Sequence, residues 1–239
     1  MSLKKYVLAA DNHGDHIHGK TANDLYSFVE EWKPALRYHL GDLFDFRALR
    51  RKANENEKRE SIKEDVAEGK EFLKWYRPNV WLLGNHDDRL FEIAKWGCGA
   101  VKDLAELGVA DILKTTDKIG CQIVPFGKRI GVYQLGDMKL IHGYFSGSTA
   151  ARQHAAIYGK CCFGHVHAHD IASIPRIEGA VVGMAIPALC ELDQEYNQQQ
   201  CGSLRHSNGW AYGVIDTETG ATETWVAKKL GGKWLLPMI

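Results

Sequence analysis

Residues 80–88 read VWLLGNHDD: an apolar run, Val80 to Leu83, meets Gly84 and is followed at once by an amide, an imidazole and two carboxylates at Asn85, His86, Asp87 and Asp88. A short apolar run bounded by glycine marks a buried strand, and the polar groups at its end form either a solvated turn or part of a site. The same arrangement occurs upstream, where Tyr6–Ala10 ends in Asp11 and Ala35–Leu40 ends in Gly41 and Asp42. Between them Leu25, Phe28, Val29 and Trp32 recur at helical spacing, with Thr21 and Asp24 set as a capping box and Pro34 as the stop. Strand alternating with helix implies an α/β layered fold whose polar groups collect at the C-terminal ends of strands.

Downstream, the highly charged segment Arg47–Arg77 keeps Ile62, Val66, Gly69, Leu73 and Tyr76 on one face, which predicts a long, partly exposed helix. A short helix is expected over Asp88–Trp96. Strands follow at Gln122–Phe126, Gly131–Leu135 and Met138–His142, the last two joined by a tight turn at Gly136–Asp137. A helix over Ser148–Tyr158 is closed by Gly159, and further strands begin at Cys161, Ile171, Ala180 and Trp210. Asp216–Gly220 turns into a final strand, Thr222–Val226. With no linker or shift in composition, residues 1–239 read as one domain with a helical insertion at about 47–77 and another at about 190–208. The glutamine-rich run Gln194–Gln200 reads as a surface loop.

A chain of 239 residues can bury a sizeable core, and 45% hydrophobic with 25% charged residues is ordinary for a globular protein. Thirty basic residues balance thirty acidic ones, so total charge does not point to a polyanion partner, although a neutral protein can carry a basic groove. The start, MSLKKYVLAAD, lacks the apolar core of a signal peptide, and no run is apolar enough to span a bilayer, so a cytoplasmic location is expected. Cys98, Cys121, Cys161, Cys162, Cys190 and Cys201 form no CxxC pair, and reduced thiols are expected. Nothing in the sequence reports the oligomeric state.

The polar residues that end successive strands are Asp11 and His13, Asp42 and Asp45, Asn85 to Asp88, His142, and His165 with His167. Carboxylate, amide oxygen and imidazole are the donors that bind transition-metal ions. A single DxH or HxH is weak, because solvated loop histidines are common. The recurrence at strand ends, where open sheets place their sites, carries the argument.

In order, Asp11-Asn12-His13, Gly41-Asp42-Leu43-Phe44-Asp45, Gly84-Asn85-His86-Asp87, His142 and Gly164-His165-Val166-His167 resemble the five signature blocks of the calcineurin-like metallophosphoesterases. The resemblance implies a four-layer α/β/β/α sandwich of two mixed sheets with a dinuclear metal site at the sheet edge. Asp11, His13, Asp42 and His167 would hold one metal, and Asp42, Asn85, His142 and His165 the other, with Asp42 as the bridge. The ions would be divalent or trivalent, manganese first, with iron, zinc or nickel also suited to these donors. Asp45 would orient ligands and loop. His86 would assist the leaving oxygen, and Asp87 would hold the other ring nitrogen of His86 and keep it more often protonated. His16, Arg89, Tyr144 and Arg152 are candidate substrate contacts, as are His18 and His154, each with a surface role as its alternative.

The implied reaction is hydrolysis of a phosphate ester by a metal-bridging hydroxide. Asp45 is followed by Phe46-Arg47, and the third block reads LGNHD, which differs from the Arg-Gly and RGNHE of the family's protein phosphatases. The HxH ending resembles the phosphodiesterase and nuclease branches, and the chain's style that of phage or prophage members. A phosphodiesterase acting on nucleotides or nucleic acid is expected. A phosphomonoesterase is the second reading, and a metal-binding scaffold without chemistry, as in the family's retromer subunit, is the third.

Overall fold

The computed structural model describes residues 2–192 and 205–238. The glutamine-rich run, Cys201 and most of the expected insertion at 190–208 lie outside the described residues. In chain order the elements are β1 (Leu3–Ala9), α1 (Gly19–Trp32), β2 (Leu36–His39), α2 (Ile62–Tyr76), β3 (Val80–Leu82), α3 (Asp87–Trp96), α4 (Gly99–Ile119), β4 (Gln122–Val124), β5 (Val132–Leu135) and β6 (Met138–Ile141). They continue with α5 (Ala150–Tyr158), β7 (Cys161–Phe163), β8 (Asp170–Ile174), β9 (Val181–Ala185), β10 (Ala211–Asp216), β11 (Thr222–Val226) and a small hairpin, β12 (Lys229–Leu230) with β13 (Lys233–Trp234).

A six-stranded sheet runs β11-β10-β1-β2-β3-β4 and a five-stranded sheet runs β5-β6-β7-β9-β8. Both are mixed. β1 to β4 are parallel to one another, as are β6, β7 and β9, while β10, β11, β5 and β8 pair antiparallel. The period-2 alternation of β1 explains the layering. Tyr6, Leu8 and Ala10 face the second sheet, where they join Leu135, Met138, Leu140 and Cys162 in a core between the sheets. Val7 and Ala9 face outward onto Leu25, Phe28, Trp32, Phe72 and Tyr76 of α1 and α2. On the far side Ala150, Ala151 and Tyr158 of α5 cover Ile141, Cys161 and Phe163. The chain is thus a four-layer α/β/β/α sandwich.

Two local expectations need correction, and one helix is unexpected. Thr21 lies inside α1, whose N-cap is His18 without a side-chain cap bond, so the expected capping box is absent; the Thr21 hydroxyl instead pairs with His18 Nδ1 at 2.6 Å. The helix expected over 47–77 begins only at Ile62, where the Ser61 hydroxyl accepts from Glu64 N–H. Residues 47–61 form two short 3-10 turns because Arg47 folds inward onto carboxylates instead of pointing into solvent. Finally, α4 is a 21-residue helix that the sequence pattern does not announce. Ala105 and Ile112 are buried along with Thr115 and Thr116, but Val101, Leu104 and Leu107 are exposed, so apolar residues fall on both faces and blur the helical period.

Gly159 ends α5 as expected, its N–H donating to Ala155 O. Cys98, Cys121, Cys161, Cys162 and Cys190 are free thiols, as expected. Among the described residues no helix is long and apolar enough to cross a membrane.

Candidate metal and active site

The strand ends set the site. β1, β2 and β3 lie side by side and parallel, so the residues after them, Asp11 to His13, Asp42 and Asn85, emerge along one sheet edge. β6 and β7 of the second sheet deliver His142, His165 and His167 to the same edge. Backbone bonds lock the loops together: Asp11 N–H donates to Gly41 O at 3.0 Å and His13 N–H to Asp42 O at 3.0 Å.

Asp42 is buried at the centre. Its Oδ2 lies 3.2 Å from His142 Nε2 and 4.0 Å from His13 Nε2, while Oδ1 accepts from the His86 backbone N–H at 2.8 Å. Asn85 Oδ1 sits 3.1 Å from His142 Nε2. On the other side His13 Nε2 and His167 Nε2 approach to 3.1 Å, with Asp11 Oδ1 3.7 Å from the latter. Ligand atoms of Asp11, His13 and Asp42 all fall within 4.8 Å of one another, and so do those of Asp42, His142 and His165. The two groups share Asp42.

These donors fit cations. His142 Nδ1 lies 2.8 Å from Leu40 O, and since a carbonyl only accepts, that nitrogen carries the proton. In the neutral ring the Nε2 lone pair then faces the lone pairs of Asp42 and Asn85, an arrangement that is stable only around a positive charge. A proton can supply that charge. Burial alone would depress His142, but the Asp42 carboxylate outweighs it and raises the pKa to about 9. Burial pushes His13 down as well, and its contact with Asp45 reverses this and brings it to about 9. His165 falls to about 4 through burial and the neighbouring His142, and His167 is held well below the usual range by burial and His13. Both are therefore neutral and free to donate lone pairs.

His86 is organised differently from the expectation. Its Nδ1 meets Asp45 Oδ1 at 2.5 Å, and its Nε2 turns toward Asp42 Oδ2 at 4.0 Å. Asp87 does not touch the ring. Fully buried, it accepts from the backbone N–H groups of Phe44 and Gly84, each at 2.8 Å, and so ties the second loop to the third. The reason is helical geometry: Asp87 opens α3 and points back over the preceding turn, away from the side chain before it. Nor is His86 more often protonated, because burial lowers its pKa despite Asp42 and Asp45.

Asp45 is the hub of this second layer. Besides His86 it lies 3.4 Å from His13 Nδ1 and 3.3 Å from Arg47 Nη1. Burial raises its pKa, but the bonds to His13 and His86 outweigh burial and keep it a carboxylate. Arg89 Nη1 donates to Asp45 O at 2.9 Å, and His16 Nδ1 stands 4.0 Å from Asp45 Oδ2. Tyr144 stacks on Phe126 with ring centroids 5.1 Å apart, and Phe126 in turn edges His142 at 6.0 Å. Arg152 stays exposed on α5. His154 is a satisfied core histidine, with Nδ1 on Ala150 O and Nε2 accepting Tyr144 N–H.

Four contributors escape the motif reading. His39 Nε2 donates to Asn12 Oδ1 at 2.7 Å and so fixes the first loop. Cys190 Sγ lies 3.8 Å from His167 Nδ1, behind the ring. Asp15 pairs with Arg47 at 2.6 Å. Asp65 accepts the N–H groups of Asp45 and Phe46 at 3.1 and 2.6 Å. Only Asp65 leaves a local signal, a carboxylate on the buried stripe of α2.

Backbone conformation marks the same place. Non-glycine residues with φ near +50 to +70° are Asp11, His13, Asp42, Phe46, His165 and His167, apart from the helix C-caps Lys33 and Arg77. Left-handed backbone costs of order 1–3 kcal/mol per residue and persists where surrounding structure over-determines it. Gly84 is required for a different reason: an added Cβ would collide with the Asp42 carboxylate and its backbone nitrogen.

No family model matches the chain, and no curated protein does. Among solved structures it is similar to a metallophosphoesterase from Sphaerobacter thermophilus, at 12% identity over 95% of this chain and 89% of that one, with a TM-score of 0.49. It is also similar to the nuclease MPE of Pseudomonas putida (18%, 79% and 76%, 0.39) and to Vacuolar Protein Sorting 29 of Cryptosporidium parvum (10%, 98% and 95%, 0.44). All three are of the calcineurin-like fold. At such identities and TM-scores the likeness says nothing of this chain's chemistry, which its own residues must carry.

Proposed function

We propose that this chain is a metal-dependent phosphoesterase of the calcineurin-like type, acting on phosphodiesters of nucleotides or nucleic acid. The observation that carries the reading is the convergence of lone pairs on Asp42 from two sides, through His142 and Asn85 on one and His13 on the other. Asp11, His13, Asp42 and His167 would hold one ion, and Asp42, Asn85, His142 and His165 the other. Manganese suits this mixed oxygen and nitrogen set, as do iron, zinc and nickel. When bound, two such cations neutralise phosphoryl oxygens and acidify water enough for attack near neutral pH.

The remaining work falls to the protein. His86 keeps its Nδ1 proton on Asp45, so Nε2 is the lone pair turned to the cluster, placed to take up a proton and pass it to the leaving oxygen. Asp45 fixes that tautomer, and Arg47, braced by Asp15 and Glu60, fixes Asp45. A non-catalytic scaffold would have no need of this relay, which favours the enzyme reading.

The test is turnover of bis-p-nitrophenyl phosphate and p-nitrophenyl phosphate by purified protein supplied with manganese. Faster diester hydrolysis is expected. The reverse order would overturn the diester assignment, and no turnover of either would overturn the phosphoesterase reading.

A further inference from the structure

Asp88, the last residue of GNHDD, has no task in the site described above. It points into a separate cleft of about 480 Å³. The walls are Leu83, Phe91, Trp96, Phe126 and Ile130, with Asp88, Glu92 and Lys95 as charged groups on the α3 side and the Lys95 ammonium over one face of Trp96, 4.8 Å from the ring centre. Trp96 is 75% exposed and Ile130 63%, so large apolar groups stand open at its rim. Among the described residues neither carboxylate has a hydrogen-bond or ion-pair partner.

The cleft adjoins the metal-ligand cluster. Leu83 directly precedes Gly84 and Asn85, Asp88 follows His86 by two residues, and Phe126 edges the His142 ring at 6.0 Å. A group attached to a phosphate seated at Asp42 therefore has an aromatic wall beside it. We infer that this cleft is a nucleobase subsite, in which the base of the substrate stacks among Phe91, Trp96 and Phe126 and presents its N–H and amino edge to Asp88 and Glu92.

The chemistry of both parts agrees. Base stacking on aromatic rings is sequence-tolerant because every base has a π-face. A carboxylate accepts from ring N–H and exocyclic amino groups and repels an edge made of carbonyls alone. Burial, with the neighbouring Glu92 charge, also raises the Asp88 pKa to about 6 against the opposing pull of Lys95, so a base donor that relieves this crowding is bound with gain.

The inference rests on the phosphoesterase reading and deepens it by naming the substrate class. It is tested by calorimetric titration of the manganese-loaded full chain with guanosine 5′-monophosphate and, separately, with ribose 5-phosphate. The nucleotide is expected to bind about tenfold tighter or more, within the range that one stacked base contributes. That ratio is expected to fall to near one in Trp96→Ala and in Ile130→Glu, both of which alter exposed side chains that the fold does not need. Asp88→Asn is expected to reduce the preference for guanosine 5′-monophosphate over thymidine 5′-monophosphate. Equal affinity for nucleotide and sugar phosphate, or a ratio retained in both rim variants, would overturn the subsite while leaving the phosphoesterase reading intact. No binding of either phosphate would overturn both.

Discussion

Replacing Asp45 by asparagine separates the residue that holds His86 from the one next to it in sequence. The carboxylate accepts from His86 Nδ1 at 2.5 Å and from Arg47 at 3.3 Å. An asparagine of the same shape keeps one acceptor and offers an NH2 group to the other partner. A hydrogen bond to a charged group is worth roughly 1.5–3 kcal/mol and a neutral one about half of that, so the His86 contact weakens by about 1–1.5 kcal/mol. At about 1.4 kcal/mol per factor of ten, kcat should fall roughly tenfold. Metal content should stay at the wild-type level, and the pH limb assigned to loss of the His86 proton should move to lower pH, because Asp45 is one of the charges that raise it. The assay is diester turnover across pH together with metal analysis. Asp87→Asn is the control: the new NH2 faces a buried N–H of Phe44 or Gly84, costing about 1–3 kcal/mol of stability, while folded protein keeps its kcat. If Asp87→Asn lost turnover when folded and metal-loaded while Asp45→Asn matched wild type, the relay through Asp45 would be refuted.

Other outcomes follow from the same geometry. His86→Ala should retain both metals while turnover drops, whereas Asn85→Ala should lower metal stoichiometry toward one; loss of both metals in the His86 variant would contradict that division. In chelator, melting temperature should fall from pH 7 to pH 9. His13 and His142 have folded pKa values of about 9 against the usual 6.5, so their stabilisation is complete below 6.5 and is lost as pH rises through 9. Manganese should abolish that decline, and a flat or rising curve in chelator would refute the account. Gly84→Ala should reduce both metal content and melting temperature, since its Cβ has no room beside Asp42; two bound ions and an unchanged melting temperature would show that the loop can yield.

The inventory of the site was legible because strands and ligands are local patterns. Apolar runs such as Tyr6–Ala10 and Val80–Leu83 announce buried strands, and the polar residue after each is fixed by sequence adjacency to the end of that strand. Asp11, Asp42, Asn85 and His142 could therefore be gathered at one sheet edge before any coordinates, and the alternation of strand and helix set the layers. The charged segment 47–61 misled because charge alone does not say whether a side chain faces water, and Arg47 faces Asp15, Asp45 and Glu60.

What only the tertiary structure decided is which group serves which. His86 and Asp87 are neighbours in sequence, yet the proton of His86 goes to Asp45, 41 residues away, because α3 turns Asp87 back onto the loops. His39 behind Asn12, Cys190 behind His167 and Asp65 beneath the Asp45 loop are likewise partners across the fold. Sequence periodicity fixes the face on which a residue sits. A hydrogen bond depends on a few tenths of an ångström between segments that only folding brings together.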